Sequence, residues 1–259
     1  MRGVGHLNHS PNTPAKGRLD VVLVEQGFFA SREQARRAIL AAEVRLGDRI
    51  LDKPSLFVER TVLLTVKTPP AYVGRGGLKL DGALDAFAIN AHDKLAADIG
   101  ASTGGFTDCL LQRGARRVHA IDVGHGQLAW KIRSDPRVRV YEKLNARHLR
   151  PHDIGEPVDI CVIDVSFISL TLILPNAFDL LTPSGMLLAL IKPQFELERS
   201  DVGRGGIVPD PALHEKAIAK IRRFVAGDLS RAVLGVEPAR VRGADGNQEF
   251  FLCARNASA

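Results

Sequence analysis

Cysteine is scarce in this chain: there are three in 259 residues, Cys109, Cys161 and Cys253, far apart from one another. An odd, sparse set cannot build a disulfide framework, and it points to a reducing, cytoplasmic setting. Long apolar runs are missing too. "MLLALI", beginning at Met186, is among the longest, far short of the ~18–20 residues that cross a bilayer. The first 17 residues have no apolar core, so they do not form a signal peptide and read as a disordered polar lead-in. A secreted pore-former needs a signal, a span or a long amphipathic element, and the sequence offers none of them. Histidine gives no metal spacing. His148 and His152 are four apart, but Pro151 between them breaks helical register, and no metal is expected.

What is present is ordinary globular material, with 45% apolar and 25% charged residues. The length allows one large core and a small additional domain. Net charge is +6, and residues 1–67 hold eleven Lys/Arg against seven Asp/Glu, so +4 of it lies in the first quarter. A basic end on a near-neutral body suits a polyanionic partner. A merely soluble basic face has the same charge, and charge alone does not separate the two.

From Arg18 the text predicts a short helix through Leu19, Val22, Leu23 and Gln26, ending at Gly27. Ser31 reads as an N-cap with Gln34 three residues on, a capping box. Ala35, Ala38, Ile39 and Ala42 give the second helix an apolar face, with Arg32 and Arg36 as i, i+4 neighbours and Arg37 adjacent. "EVRLGDRIL" alternates about a Gly47-Asp48 turn, and "VLLTVK" is a further strand. Residues 18–67 resemble the S4 RNA-binding domain. Ala42 stands where that family usually has glycine, and the turn is Gly-Asp instead of Asn-Gly or Asp-Gly. The resemblance implies that Arg18, Arg32, Arg36 and Arg37 meet RNA phosphates; a plain solvated helix face is the alternative.

Residues 68–77 read as a Pro/Gly-rich linker, and 78–259 as a second domain. There, strands and helices alternate. "KLAADIG", "RVHAIDVG", "RVRVYEKLN", "VDICVIDVSF" and "GMLLALIKP" are strands; 103–114, "GQLAWKIRS", "LTLILPNAFDLL" and 212–226 are helices; "SRAVLGVEPAR" and "QEFFLCAR" close as a strand pair. This order predicts a mostly parallel sheet with an antiparallel C-terminal edge.

Ligands bind such sheets at the carboxyl ends of the strands. "DIGASTGGFT", residues 98–107, ends the first strand there. Dinucleotide sites want G-x-G-x-x-G, and this loop has Gly100 followed by Gly104-Gly105. Asp98 would repel a pyrophosphate, but it suits a ligand with a positive amino group, such as the amino-acid half of S-adenosylmethionine. Asp122, at the end of the next strand, can accept both ribose hydroxyls, and Asn145 is placed to meet the adenine. Ser102, Phe106, Thr107, Val123 and Asp164 complete the expected cofactor set. Trp130 and Phe106 fit either a cofactor contact or the core.

Together these residues resemble the Rossmann-like methyltransferases. The full run of "VGRGGLKL", "DIGASTGGFT", "DVGHGQLAW", "NAR", "DVSFISL", "KPQFE" and "NQEFF" behind an S4 domain resembles the TlyA family of ribosomal RNA 2′-O-methyltransferases, FtsJ-like enzymes of which some carry the name haemolysin. The resemblance covers nearly all of residues 18–255. It implies S-adenosylmethionine as cofactor and ribosomal RNA or a ribosomal subunit as partner, with no membrane involved.

The target atom is argued from the fourth strand. Enzymes acting on exocyclic nitrogens commonly carry Asp/Asn-Pro-Pro-aromatic there, whereas this chain has Asp164-Val165-Ser166-Phe167. Cytosine C5 enzymes need a nucleophilic cysteine, and Cys161 is three residues too early and inside the strand. The chain offers Lys79, Asp164, Lys192 and Glu249 instead; similar Lys-Asp-Lys-Glu sets surround the target hydroxyl in the 2′-O-methyltransferases it resembles. Lys192 is the candidate to orient and deprotonate the hydroxyl. Lys79 close by would ease its deprotonation, while Asp164 and Glu249 hold the amines. The loop 197–210 either closes over RNA or serves as a passive connection. Family resemblance points to a cytidine, and the short stretch after Glu249 favours the large-subunit type. A non-catalytic RNA-binding protein that kept the fold is the rival reading.

Overall fold

The computed structural model describes residues 15–67 and 70–256. They divide into two compact units between residues 69 and 70.

In the first unit, β1 (Lys16–Arg18) leads into α1 (Leu19–Glu25) and α2 (Arg32–Leu40), followed by β2 (Val44–Leu46), β3 (Arg49–Ile50), β4 (Phe57–Glu59) and β5 (Thr65–Val66). Leu19, Val22, Leu23, Ala35, Ile39 and Val44 form its core, so the 3.6-residue period read from the sequence is the buried stripe. Residues 1–14 of the expected lead-in lie outside the described residues. Its last part is not a lead-in: Lys16 and Gly17 pair with β4, antiparallel to Glu59 and Val58.

Ser31 caps α2 by accepting from Gln34 N. The return arm differs from the expected box, because Gln34 Oε1 accepts from Ala30 N at 3.2 Å, one residue earlier. The helix then ends in a left-handed residue, Ala42 at φ 58°. Ala42 N donates to Ile39 O and Glu43 N to Ala38 O, both at 3.0 Å. This is a Schellman closure, which explains why glycine suits the position.

The second unit opens with α3 (Gly76–Ala86) and β6 (Leu95–Ile99), then α4 (Gly105–Gln112), β7 (Arg117–Ile121), α5 (Trp130–Arg133), β8 (Val138–Tyr141), α6 (Pro151–Ile154) and β9 (Val158–Ile163). After these come α7 (Leu174–Asp179), β10 (Leu181–Ile191), α8 (Pro193–Glu196), α9 (Pro211–Arg223), β11 (Ala232–Pro238) and β12 (Phe250–Arg255). The seven-stranded sheet has the order β11-β12-β10-β9-β6-β7-β8. Strands β10, β9, β6, β7 and β8 pair in parallel, and β12 is antiparallel to both β10 and β11. Successive residues alternate between two cores. Ala97, Ile99, Cys161, Ile163, Leu187 and Ala189 face Leu174, Phe178 and Ile221; Ala96, Ile160, Val162, Leu188 and Leu190 face Leu80, Phe106 and Leu110. Helices on both faces thus bury a sheet whose strands read as continuous apolar runs.

Three local expectations change. The stretch 70–77 belongs to the second unit and is not free linker. Gln112 Nε2 donates to Ala71 O at 2.9 Å and Val73 N to Asp108 Oδ2 at 2.9 Å. Gly76 and Gly77 already start α3, and the Tyr72 ring fills the space where a Gly77 side chain would lie. The helix expected over "GQLAWKIRS" shrinks to one turn, because Ala129 N donates to Thr103 O at 3.1 Å and holds the preceding segment extended. The helix over "LTLILPNAFDLL" is split into a 3₁₀ turn at Leu170–Leu172 and α7. Pro175, lacking an N–H, starts a helix there and cannot continue one.

Candidate active site

The strand order reverses at β6. Its chain continues to β7 on one side, and β9 lies on the other. The crevice at the carboxyl ends of β6 and β9 is therefore the switch point, and the glycine loop 100–105 occupies it. These glycines serve mainly to let protein segments close on one another. At Gly100 (φ 88°) a Cβ would overlap the carbonyl oxygen of Asp164 after β9. At Gly104 (φ 95°) it would press on Leu128 and Ile132, and at Gly105 on the backbone of Gly74 and Gly77. Gly100 and Gly105 also line the crevice, and at Gly104 the side-chain position is turned toward Leu128 and Ile132.

Two cavities share Gly100, Ser102, Asp164 and Ser166. The larger, about 530 Å³, is walled by Asp122, Val123, Asn145 and Phe167 among others. The smaller, about 180 Å³, holds Gly76, Thr103, Phe106 and Lys192. The larger falls within the ~300–1,000 Å³ of small-molecule sites. Asp122 Oδ2 accepts from Ser102 N at 2.7 Å and Oδ1 from Gly124 N at 2.6 Å, so the carboxylate is fixed with one lone pair on each oxygen still available. Asn145 Oδ1 caps the next turn by accepting from Arg147 N, leaving its amide N–H groups for the cavity.

Asp98 and Thr107 do not line either cavity. Asp98 is fully buried beneath the loop, where Oδ2 accepts from Thr107 Oγ1 at 2.6 Å and Oδ1 has no partner. Burial pushes its carboxyl up to about 7, with the charges of Asp164 and Asp122 adding to the effect. Asp122 in the cavity wall, with Asp98 beneath the loop, makes this end of the crevice favourable to a cation and hostile to a pyrophosphate. Phe106, at 3% exposure, is both core and cavity wall, and its ring lies 5.9 Å from that of Phe251. Trp130 is 79% exposed and lines neither cavity. Cys161 is buried, and its thiol is pushed up by burial and then by the charge of Asp98, so it offers no thiolate nucleophile.

The four expected catalytic side chains form two pairs. Lys192 Nζ lies 2.6 Å from Asp164 Oδ1 and donates to Ser166 Oγ at 2.9 Å. Lys79 Nζ donates to Glu249 Oε2 at 2.6 Å. Lys192 follows β10, Asp164 follows the adjacent β9, and Glu249 immediately precedes β12. Of the four, Asp164 and Lys192 line the crevice; Lys79 and Glu249 are buried and line neither cavity. The amine of Lys79 is thus paired with Glu249, as that of Lys192 is with Asp164. Among the described residues, no group of three His, Cys, Asp or Glu side chains is placed to hold a metal ion.

Sequence reasoning missed Ser166, the hydrogen-bond partner of Lys192, although it lies inside the motif scanned for other reasons. It also missed Gly76, Thr103, Gln127 and Arg147 in the cavity walls. The glycine run Gly74-Arg75-Gly76-Gly77 at the start of α3 was the available signal for Gly76.

In the first unit Asp20 is buried, with Arg18 at 3.1 Å and Arg32 at 2.8 Å. Burial works against its charged form, but the two guanidiniums outweigh it and hold the carboxyl below its usual range. Arg37 faces Glu33 at 3.9 Å. Arg36 has no ion pair among the described residues, and with Arg32, Arg37 and Leu40 it lines a shallow groove on α2.

Comparison with known proteins shows the family. The FtsJ-like methyltransferase family matches residues 72–256 and the S4 domain matches residues 17–62. Bacillus subtilis YqxC, provisionally named an rRNA methyltransferase, is 49% identical over 243 residues, 93% of this chain and 86% of that protein. The Mycobacterium tuberculosis 16S/23S rRNA (cytidine-2′-O)-methyltransferase TlyA is 45% identical over 242 residues, 93% of this chain and 90% of that protein. A solved Streptococcus thermophilus protein, provisionally named a hemolysin, superposes with a TM-score of 0.71 at 42% identity, covering 95% of this chain and 90% of that one. The chain belongs to the FtsJ-like methyltransferase family, with an S4 domain ahead of the methyltransferase domain.

Proposed function

We propose that this protein transfers a methyl group from S-adenosylmethionine to the 2′-hydroxyl of a cytidine ribose in ribosomal RNA. The observation that carries the reading is the placement of Lys192, paired with Asp164 and Ser166, where a small cavity joins a larger one. The larger cavity suits a nucleoside with a cationic tail. Asp122 would take the ribose hydroxyls and Asn145 the adenine. Asp98 would answer the positive amino group through the loop, its unpartnered Oδ1 being the supporting feature. The bound cofactor supplies a methyl group on a positively charged sulfur. The smaller cavity suits the acceptor ribose. There Lys192, as the unprotonated amine, would orient the hydroxyl and take its proton as the oxygen takes the methyl group, Asp164 and Ser166 would hold the resulting ammonium, and Lys79–Glu249 would brace α3 against the start of β12. Position and electrostatics supply the rate. The arginines of α2 would anchor the RNA through phosphates.

Support for cytidine and for ribosomal RNA comes from the names of the relatives, one of which acts on both 16S and 23S rRNA. The test is to incubate the protein with methyl-labelled cofactor and unmodified small or large ribosomal subunits, and then map 2′-O-methyl groups. Label at a cytidine ribose is expected. Cofactor binding without label in either subunit would favour the rival, an RNA-binding protein that kept the fold.

A further inference from the structure

The segments that follow β9 and β10 run side by side and are joined at three points. Lys192 meets Asp164 and Ser166. The Phe195 ring lies 5.1 Å from that of Phe167. Glu196 Oε2 accepts from Ser169 Oγ at 2.6 Å, and its Oε1 accepts from Leu170 N at 2.7 Å. The "KPQFE" and "DVSFIS" motifs are therefore mates, and the third contact has no place in the chemistry described so far. Glu196 lines neither cavity and is only 4% exposed. A buried carboxylate is costly unless its hydrogen bonds are met, and here they are spent on the loop that carries Ser166 and Phe167.

That loop needs holding. Phe167 sits at φ 66° and is 91% exposed. A left-handed phenylalanine costs on the order of 1–2 kcal/mol and persists only where its surroundings over-determine it. Its side chain is mostly in solvent with the Phe195 ring on one side, and its backbone is restrained by the residues before and after it. Upstream, Asp164 N donates to Ile99 O at 2.9 Å. Downstream, Glu196 grips Ser169 and Leu170. We infer that Glu196 is a positioning residue: through Ser169 and Leu170 it fixes the loop that sets Ser166 against Lys192 and forms one wall of the cofactor cavity. The inference rests on the proposed methyl transfer.

Glu196 has a second set of bonds, to α9. Lys220 Nζ lies 3.2 Å from Oε2 and donates to Glu196 O at 2.6 Å. The two sets allow loop control to be told from plain stability. The experiment uses the full chain and the variants Glu196→Ala, Glu196→Gln, Ser169→Ala and Lys220→Ala. Single-turnover methyl transfer at saturating cofactor, melting temperature, and hydrogen–deuterium exchange over residues 164–170 are measured on each. Glu196→Ala should lose roughly 10- to 100-fold in rate, up to the scale of a misplacement of about 1 Å, with faster exchange in the loop. Ser169→Ala should lose rate and loop protection in the same direction while folding normally. Glu196→Gln should recover most of both, since its carbonyl still accepts from Leu170 N. Lys220→Ala should lower the melting temperature and leave rate and loop exchange near wild type. The inference is overturned if Lys220→Ala loses as much rate as Glu196→Ala, or if Glu196→Ala and Ser169→Ala keep wild-type loop exchange. Wild-type protein that methylates no ribosomal RNA would count against the proposed function, and the exchange data would still decide whether Glu196 holds the loop.

Discussion

Replacing Asp98 by asparagine isolates the electrostatics under the glycine loop. Asparagine keeps the shape and an acceptor for Thr107 Oγ1, which bonds Asp98 at 2.6 Å. In the folded protein burial raises the Asp98 carboxyl from 3.8 to about 7. Below pH 4 the group is protonated whether the chain is folded or not. Between pH 4 and 7 the unfolded chain loses that proton and the folded one keeps it, so Asp98 makes stability fall as pH rises; above pH 7 its contribution is flat. A gap of about three pH units at about 1.4 kcal/mol each gives on the order of 4 kcal/mol as the upper bound. Asp98→Asn should therefore be more stable than wild type at pH 8, with the difference shrinking steadily toward pH 4. Urea denaturation across that range measures it. The same reasoning predicts proton release on cofactor binding. At pH 6 the free protein holds Asp98 largely protonated, and an arriving ammonium group favours the carboxylate. Calorimetry in buffers of different ionisation enthalpy should show close to one proton released per S-adenosylmethionine in wild type and none in Asp98→Asn, which should also bind more weakly. Equal affinity in the two proteins, with no proton exchange in wild type, would refute the reasoning and leave Asp98 as a buried core acid.

Lys192→Ala should leave cofactor affinity nearly unchanged and lower single-turnover methyl transfer by roughly 10²–10⁴-fold. Lys192→Arg should fail almost as badly if Nζ must accept a proton, whereas near-wild-type rates would leave only electrostatic positioning. Asp122→Ala should weaken S-adenosylmethionine binding strongly in calorimetry, because it removes the ribose acceptor and frees Ser102 N and Gly124 N. Gly100→Ala should unfold more readily, by a few kcal/mol, since its Cβ would meet Asp164 O in a left-handed conformation; a melting curve superposing on wild type would contradict the packing described. Arg36→Ala should lower the salt dependence of RNA binding by about one phosphate's worth of slope. Arg32→Ala should in addition lower stability, because it leaves buried Asp20 with Arg18 alone.

Much of this was legible in one dimension because local rules govern it. The continuous apolar runs in "VDICVIDV" and "MLLALI" make strands buried on both faces, Ser31 caps α2, and the order of strands and helices gives a parallel sheet whose candidate ligand site lies at the end of β6. The acids at the ends of β6, β7 and β9 and the lysine after β10 could be placed at strand ends from spacing alone. Pairing could not, because it depends on the distance between groups up to 170 positions apart along the chain. Only the folded sheet gives Lys79 to Glu249 and Lys192 to Asp164. Depth could not be read either. Asp98 and Asp122 look alike as strand-end acids, yet one is sealed under the loop and the other faces the cavity. The glycines tell the same story: the sequence says that a backbone must come close at residues 100–105, and tertiary packing decides that what comes close is Asp164, Leu128 and the lead-in to α3. Burial and long-range contact are properties of the whole chain's packing, and they set which charges neutralise one another and which remain for a ligand.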